Sequence, residues 1–206
     1  MAIIQRRIYL CSQNPHRREL LKQIGINFEM LLFRRDPRRS SDVNETPLDG
    51  ELAEIYVRRL CQEKVRAGSE SLRMRNLPLF PVLAAETVLV FNDKLLHKPA
   101  NVHQAADMLR QLSGHEHQVL SAVAVALGNR TEVALSASTV RFARLSEDRI
   151  NRYLRSGEYT DNAGAYAMHG QAGAFVEHLA GSYSGVMGLP LAQTVELLQR
   201  FDYPTP

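Results

Sequence analysis

No stretch of this 206-residue chain approaches the roughly 20 consecutive apolar residues that a membrane-spanning helix needs, and its start lacks an apolar secretory core. A cytoplasmic protein with no membrane partner is therefore expected. Only two cysteines are present, Cys11 and Cys61, each inside an apolar pattern and without metal-clip spacing. They read as reduced core residues rather than as a disulfide framework. Charge of one sign is also scarce: 25 Lys+Arg against 22 Asp+Glu leave a formal net charge of +3. That balance is too mild to imply nucleic acid, and it suits a small phosphorylated ligand equally well. The densest basic run, Phe33-Arg34-Arg35-Asp36-Pro37-Arg38-Arg39, reads as a solvated loop.

The chain is 45% hydrophobic and 23% charged, the composition of a soluble globular protein. Its length suits one domain or two closely joined lobes. Strand and helix patterns alternate, which favours an α/β fold. The spacing predicts a strand over 7–11, a helix from Pro15 to near Gly25 with Leu20, Leu21 and Ile24 inside, and a polar stretch over 34–50. A second helix is expected over 51–67, carrying Leu52, Ile55, Tyr56, Leu60 and Cys61, and a surface loop over 70–78. Residues 81–91 read as a strand folded by Asn92-Asp93-Lys94 onto Leu95-Leu96. A helix over 101–113 follows, then strands 118–127 and 133–142 around Gly128-Asn129-Arg130, and a helix over 147–156. A last amphipathic helix, about 191–201, is expected to use Leu191, Val195 and Leu198 as its inner face. Seven of the twelve glycines fall in 157–188, where either tight turns or close approach to a ligand would need them.

One helix start is electrostatically inverted. Asn14 is a good N-cap and Pro15 a good first residue, yet the first turn carries His16-Arg17-Arg18 where acidic residues are favoured. The helix over 147–156 obeys the ordinary rule, with Ser146 as cap and Glu147-Asp148 in its first turn. An anion such as phosphate would accept the unsatisfied N–H groups and pair with the cations together. Lys64 and Lys98 are further point charges suited to phosphate oxygens. Glu45, Glu86 and Asp161 could hold Mg²⁺ or activate a water. Glu86 stands out because it interrupts an apolar strand, where an uncompensated charge is costly to bury.

Together these residues resemble the Maf family of nucleoside triphosphate pyrophosphatases, over about 7–201. The family's L-A-S-x-S-P-R-R-x-x-L-L corresponds to Leu10-Cys11-Ser12-Gln13-Asn14-Pro15-His16-Arg17-Arg18-Glu19-Leu20-Leu21. Its A-D-T-x-V corresponds to Ala85-Glu86-Thr87-Val88-Leu89, its K-P to Lys98-Pro99, and its G-E-P-x-D-K-A-G-A-Y-G-I-Q-G to residues 157–170. Gly181-Ser182-Tyr183 and Gly188-Leu189-Pro190-Leu191 also match. The resemblance implies an elongated mixed sheet flanked by helices, with two lobes around a central cleft, like inosine triphosphate pyrophosphatase, built as one domain over 1–206 and often a homodimer. It implies cleavage of a nucleoside triphosphate to the monophosphate and pyrophosphate with Mg²⁺ or Mn²⁺, in a scavenging role. The pattern is most similar to the branch acting on dTTP and UTP.

Position by position, the resemblance gives Ser12, His16, Arg17, Lys64 and Lys98 to phosphate. It gives Glu45 and Glu86 to the metal, Glu86 to the general base, and Thr87 and His169 to the nucleotide base. Three departures fall on these positions. Glu86 replaces an Asp and moves the carboxylate by up to roughly 1.5 Å, against a usual tolerance of about 0.5 Å. His16 replaces an Arg, and His169 replaces a Gln that could present both a donor and an acceptor. Substrate choice is therefore expected to differ from dTTP and UTP. The alternative is a catalytically weakened nucleotide-binding regulatory protein linked to cell division.

Overall fold

The computed structural model describes residues 7–32 and 43–205. The basic run within 33–39 lies outside the described residues. By internal contacts the chain resolves into two compact units. Unit 1 comprises Met1–Glu86, Ser121–Leu135 and Gly188–Pro206; unit 2 comprises Thr87–Leu120 and Ser136–Met187.

The described elements run β1 (Ile8–Leu10), α1 (Pro15–Gln23), β2 (Phe28–Met30), α2 (Ala53–Met74), β3 (Val82–Phe91), β4 (Lys94–Leu96), α3 (Val102–Leu112), β5 (Glu116–Leu127), β6 (Arg130–Phe142), α4 (Glu147–Arg155), β7 (Val176–Ala180), α5 (Tyr183–Val186) and α6 (Leu191–Arg200). The strands form a mixed sheet in the order β2-β1-β3-β5-β6-β7, with β4 on β3. The expected α/β fold is the observed one.

In unit 1, β1 pairs in parallel with β2 (Ile8↔Phe28) and with β3 (Leu10↔Leu83). All three β1 residues are buried, as a strand flanked on both sides requires. The order β2-β1-β3 reverses the winding direction between β1 and β3. In such sheets the carboxyl ends of the strands beside the reversal are where ligands bind. The strand β2 escaped the sequence pattern because its alternation, Phe28 and Met30 half-buried around an exposed Glu29, spans only three residues.

Helix α2 is longer than expected. It runs through Met74, so residues 70–74 are helix rather than loop. Gly68, just past the expected end at 67, is an interior crossing point: a Cβ there would lie 2.6 Å from Cys11 Sγ and 2.9 Å from a Val82 methyl. Only hydrogen lets the helix approach β1 and β3 so closely. The inner face of α2 is Tyr56, Val57, Leu60, Cys61, Val65 and Leu72, whereas Leu52 and Ile55, expected inside, are exposed. On α6 the buried positions are Thr194, Leu197 and Leu198, and Leu191 and Val195 are only half-buried.

In unit 2, Asn92 and Asp93 both take positive φ (50° and 59°) at the β3–β4 turn, the geometry that a tight hairpin demands. Leu89, Leu109, Leu112, Phe142, Ile150 and Phe175 form the centre of the core. The glycine-rich stretch folds into two short 3-10 turns, β7 and α5. Gly164 sits at φ +67°, and a Cβ there would lie 2.6 Å from a Leu89 methyl, so that glycine serves backbone conformation and packing. His117 is buried on β5; its Nε2 lies 2.8 Å from the Tyr166 hydroxyl, and its Nδ1 has no hydrogen-bond partner. Burial pushes the His117 imidazole down to about 4.

Candidate functional site

The inverted helix start is real, and the fold resolves part of it internally. Asn14 caps α1 by accepting from the His16 N–H at 2.9 Å, with Pro15 next, and the first turn holds no acid. Arg17 is buried. Its Nε donates to the Gly188 carbonyl at 2.8 Å and its Nη1 donates to Ser12 Oγ at 3.1 Å. Ser12 Oγ also accepts from the Asn14 N–H at 3.2 Å. Ser12 and Arg17 thus form one hydrogen-bonded unit beneath the start of α1, just beyond the end of β1. His16 Nδ1 lies 3.3 Å from Glu19 Oε2, one turn along. Arg18 is half-buried.

A second cluster converges on Lys64. The Nζ lies 2.6 Å from Glu86 Oε2 and 2.8 Å from Glu45 Oε1. The Lys64 and Glu86 side chains are only 14% and 20% exposed, so this is no surface pair. Burial works to lower the Lys64 ammonium, and Glu86 and Glu45 outweigh it, holding the group above its ordinary range. Glu86 sits three residues past Leu83, which pairs with Leu10 at the end of β1. Glu86, inside β3, and Ser12, just past β1, therefore both lie beyond the same end of the stretch over which these parallel strands pair, beside the winding reversal. Between the clusters, the buried Cys61 thiol senses Glu86, Arg17 and Lys64, yet burial dominates and pushes it up to about 12. Both cysteines are buried and free, and Cys61 Sγ donates to the Ala122 carbonyl at 3.2 Å.

Two supporting residues gave no sequence signal. Tyr56 hydroxyl donates to the Glu45 carbonyl at 2.7 Å. Arg59 donates to the Thr46 carbonyl at 3.2 Å and to the Glu51 carboxylate at 2.7 and 2.8 Å. Each is an unremarkable α2 residue in the sequence, because its target is a non-repetitive segment whose path no periodicity reports. Together they hold the segment that carries Glu45 against α2.

The remaining expected residues belong to unit 2. Thr87 opens it, directly after Glu86 on β3. Lys98 Nζ lies 3.5 Å from Asp161 Oδ1, with side chains 64% and 85% exposed. Asp161 adopts a positive φ of 64°. His169 is exposed, and the Asn162 amide donates to the Glu158 and Thr160 carbonyls at 2.9 and 3.1 Å. The structure thus unites Ser12 with Arg17, and Lys64 with Glu45 and Glu86, in unit 1; it pairs Lys98 with Asp161 in unit 2.

For a metal ion the donors fit by chemistry. Among the described residues no group of three or more His, Cys, Asp or Glu could hold one. Glu45 and Glu86, however, each place a carboxylate oxygen within 2.8 Å of a single cationic atom. Two hard oxygen donors suit Mg²⁺ or Mn²⁺, which keep waters and take phosphate oxygens for their remaining positions.

The fold and these clusters define an α/β protein in which carboxylates and cations from α1, α2 and β3 gather beside the paired parallel strands β1 and β3. The pattern of the family described as Maf-like protein matches residues 7–201. Among similar proteins, a dTTP/UTP pyrophosphatase of Aromatoleum aromaticum is 49% identical over 205 residues, covering 99% of this chain and all of that protein. A dTTP/UTP pyrophosphatase of Dechloromonas aromatica is 47% identical, covering 96% of this chain and 98% of that protein. One of Nitrosospira multiformis is 48% identical, covering 97% and 96%. The chain belongs to the Maf family. Among solved structures, the Staphylococcus aureus Ham1 protein aligns at 15% identity and a TM-score of 0.41, over 67% of this chain and 72% of that one. At that score the likeness carries no weight for this fold.

Proposed function

We propose that this protein is a nucleoside triphosphate pyrophosphatase that hydrolyses a pyrimidine nucleoside triphosphate to the monophosphate and pyrophosphate. The observation that carries the reading is the Glu86–Lys64–Glu45 cluster together with the buried Ser12–Arg17 pair, where the pairing of β1 with β3 ends. Relatives sharing close to half of its residues are named for dTTP and UTP, so these two come first among candidate substrates.

In this reading the Ser12–Arg17 unit and the N–H groups opening α1 bind phosphate oxygens, because a helix N-terminus and a guanidinium both favour an anion. His16 adds a ring N–H donor to the same turn. Lys64 offsets negative charge on the triphosphate. Glu86 accepts the proton of the attacking water, whose position it fixes by hydrogen bonding. Glu45 and Glu86 would hold a divalent cation, which supplies charge neutralisation at the phosphates when bound. Lys98, Thr87 and His169 are proposed as substrate-binding residues on the strength of their family positions, each tested singly by its effect on KM. A homodimer, tested by sedimentation, completes the reading.

The decisive measurement is pyrophosphate release from a panel of normal and modified triphosphates with Mg²⁺ or Mn²⁺. Monophosphate and pyrophosphate in equal amounts from a pyrimidine triphosphate are expected. No release from any member would overturn the reading.

A further inference from the structure

We propose that Lys64 is an exchangeable counter-ion: it occupies the place of a divalent cation between Glu45 and Glu86 and gives that place up when the cation binds. The Nζ sits 2.8 and 2.6 Å from one oxygen of each carboxylate. Two carboxylates converging on one point repel, and burying either without compensation is costly. In the cation-free protein the ammonium supplies the compensation. A Mg²⁺ ion demands oxygens at about 2.0–2.1 Å, so it would need the place that Nζ now fills. A dication and an ammonium a few ångströms apart would also repel strongly in this largely buried setting. The two cations therefore exclude each other.

The parts that stay and the part that moves are distinguishable. Glu86 is carried by β3, and the Glu45 segment is tied to α2 by Tyr56 and Arg59. The ammonium stands on a four-carbon stem with freely rotating donors. Glu45 is 64% exposed, which gives a hydrated ion an approach. Once displaced, the ammonium becomes a donor for phosphate, a consequence that rests on the pyrophosphatase reading. The exchange itself does not.

Calorimetric titration of the nucleotide-free, full-length protein with Mn²⁺ tests the exchange. Lys64→Met should bind Mn²⁺ on the order of tenfold more tightly than wild type, since the competitor is gone. Equal or weaker binding would overturn the proposal. Should Lys64→Met fail to fold even with Mn²⁺, the wild type decides by reductive methylation and mass spectrometry: Lys64 labelling should rise several-fold when Mg²⁺ is added. Unchanged or reduced labelling would overturn the proposal. Pyrophosphate release by the wild type, measured alongside, separates the two claims: turnover without exchange rejects only the exchange, and exchange without turnover rejects only the enzymatic reading.

Discussion

Each unit of the molecule holds a titratable side chain in a largely buried polar cluster, and the two are handled in opposite ways. In unit 1, Lys64 is kept charged between two carboxylates. In unit 2, His117 is kept neutral, hydrogen-bonded to Tyr166 and packed edge-on against Phe142. Burial opposes charge in both places. In unit 1 opposite charges outweigh it, and in unit 2 nothing does. A fold needing only a hydrogen-bonded core residue can take the His117 solution, which leaves no charge to neutralise. Retaining a largely buried ammonium between a similarly buried carboxylate and an exposed one makes sense where they have a ligand to meet.

Breaking the charged cluster should have the largest effect. Glu86→Gln leaves the shape almost intact but removes the proposed base and one of the two charges facing Lys64. Pyrophosphate release should fall on the order of 10²- to 10⁴-fold in kcat. Next comes Arg17→Ala, which removes a buried guanidinium bonded to Ser12 and Gly188 and should cost about 2–4 kcal/mol in urea unfolding. Arg17→Lys should recover little of that, because one ammonium cannot reproduce the fork.

The neutral cluster responds to acid instead. The unfolded His117 takes a proton near 6.5 and the folded one only near 4, so its contribution to stability is complete above 6.5. As pH falls from 6.5 toward 4 that contribution is lost, amounting to about 2 kcal/mol at pH 4.5, with no further loss below 4. Urea midpoints at pH 7 and 4.5 should show the decline in wild type and much less of it in His117→Phe. The smallest effect is expected from the exposed Lys98–Asp161 pair. Lys98→Ala should change stability by under about 1 kcal/mol. Its signature should be a salt-sensitive rise in KM with kcat nearly unchanged.

Much of this was legible in the sequence because local chemistry and tertiary role agreed. The Asn14-Pro15 cap, the Asn92-Asp93 turn and the Ser146 cap with its acidic first turn each need only nearest neighbours, and each formed as expected. The charged residues stood out for the same reason: Glu86 in an apolar strand and Arg17 in a helix's first turn violate local rules. What escaped depends on distance. The inner face of α2 was misplaced at Leu52 and Ile55, whose exposure reflects where the helix docks. Likewise the pairing of Lys64 with Glu45 and Glu86 joins residues far apart in the chain, and no spacing rule announces it.

Gly68 lies one helical turn beyond Lys64, on the same side of α2. Its missing Cβ lets the helix descend onto Cys11 and Val82, and that descent sets the height from which the lysine reaches the carboxylates. The reach of Lys64 is thus calibrated by a residue with no side chain, which acts as a depth stop. Positions 68, 11 and 82 accordingly share a single allowance of volume: a methyl added at 68 must be matched by volume surrendered at both of the others, or the ammonium is lifted away from Glu86.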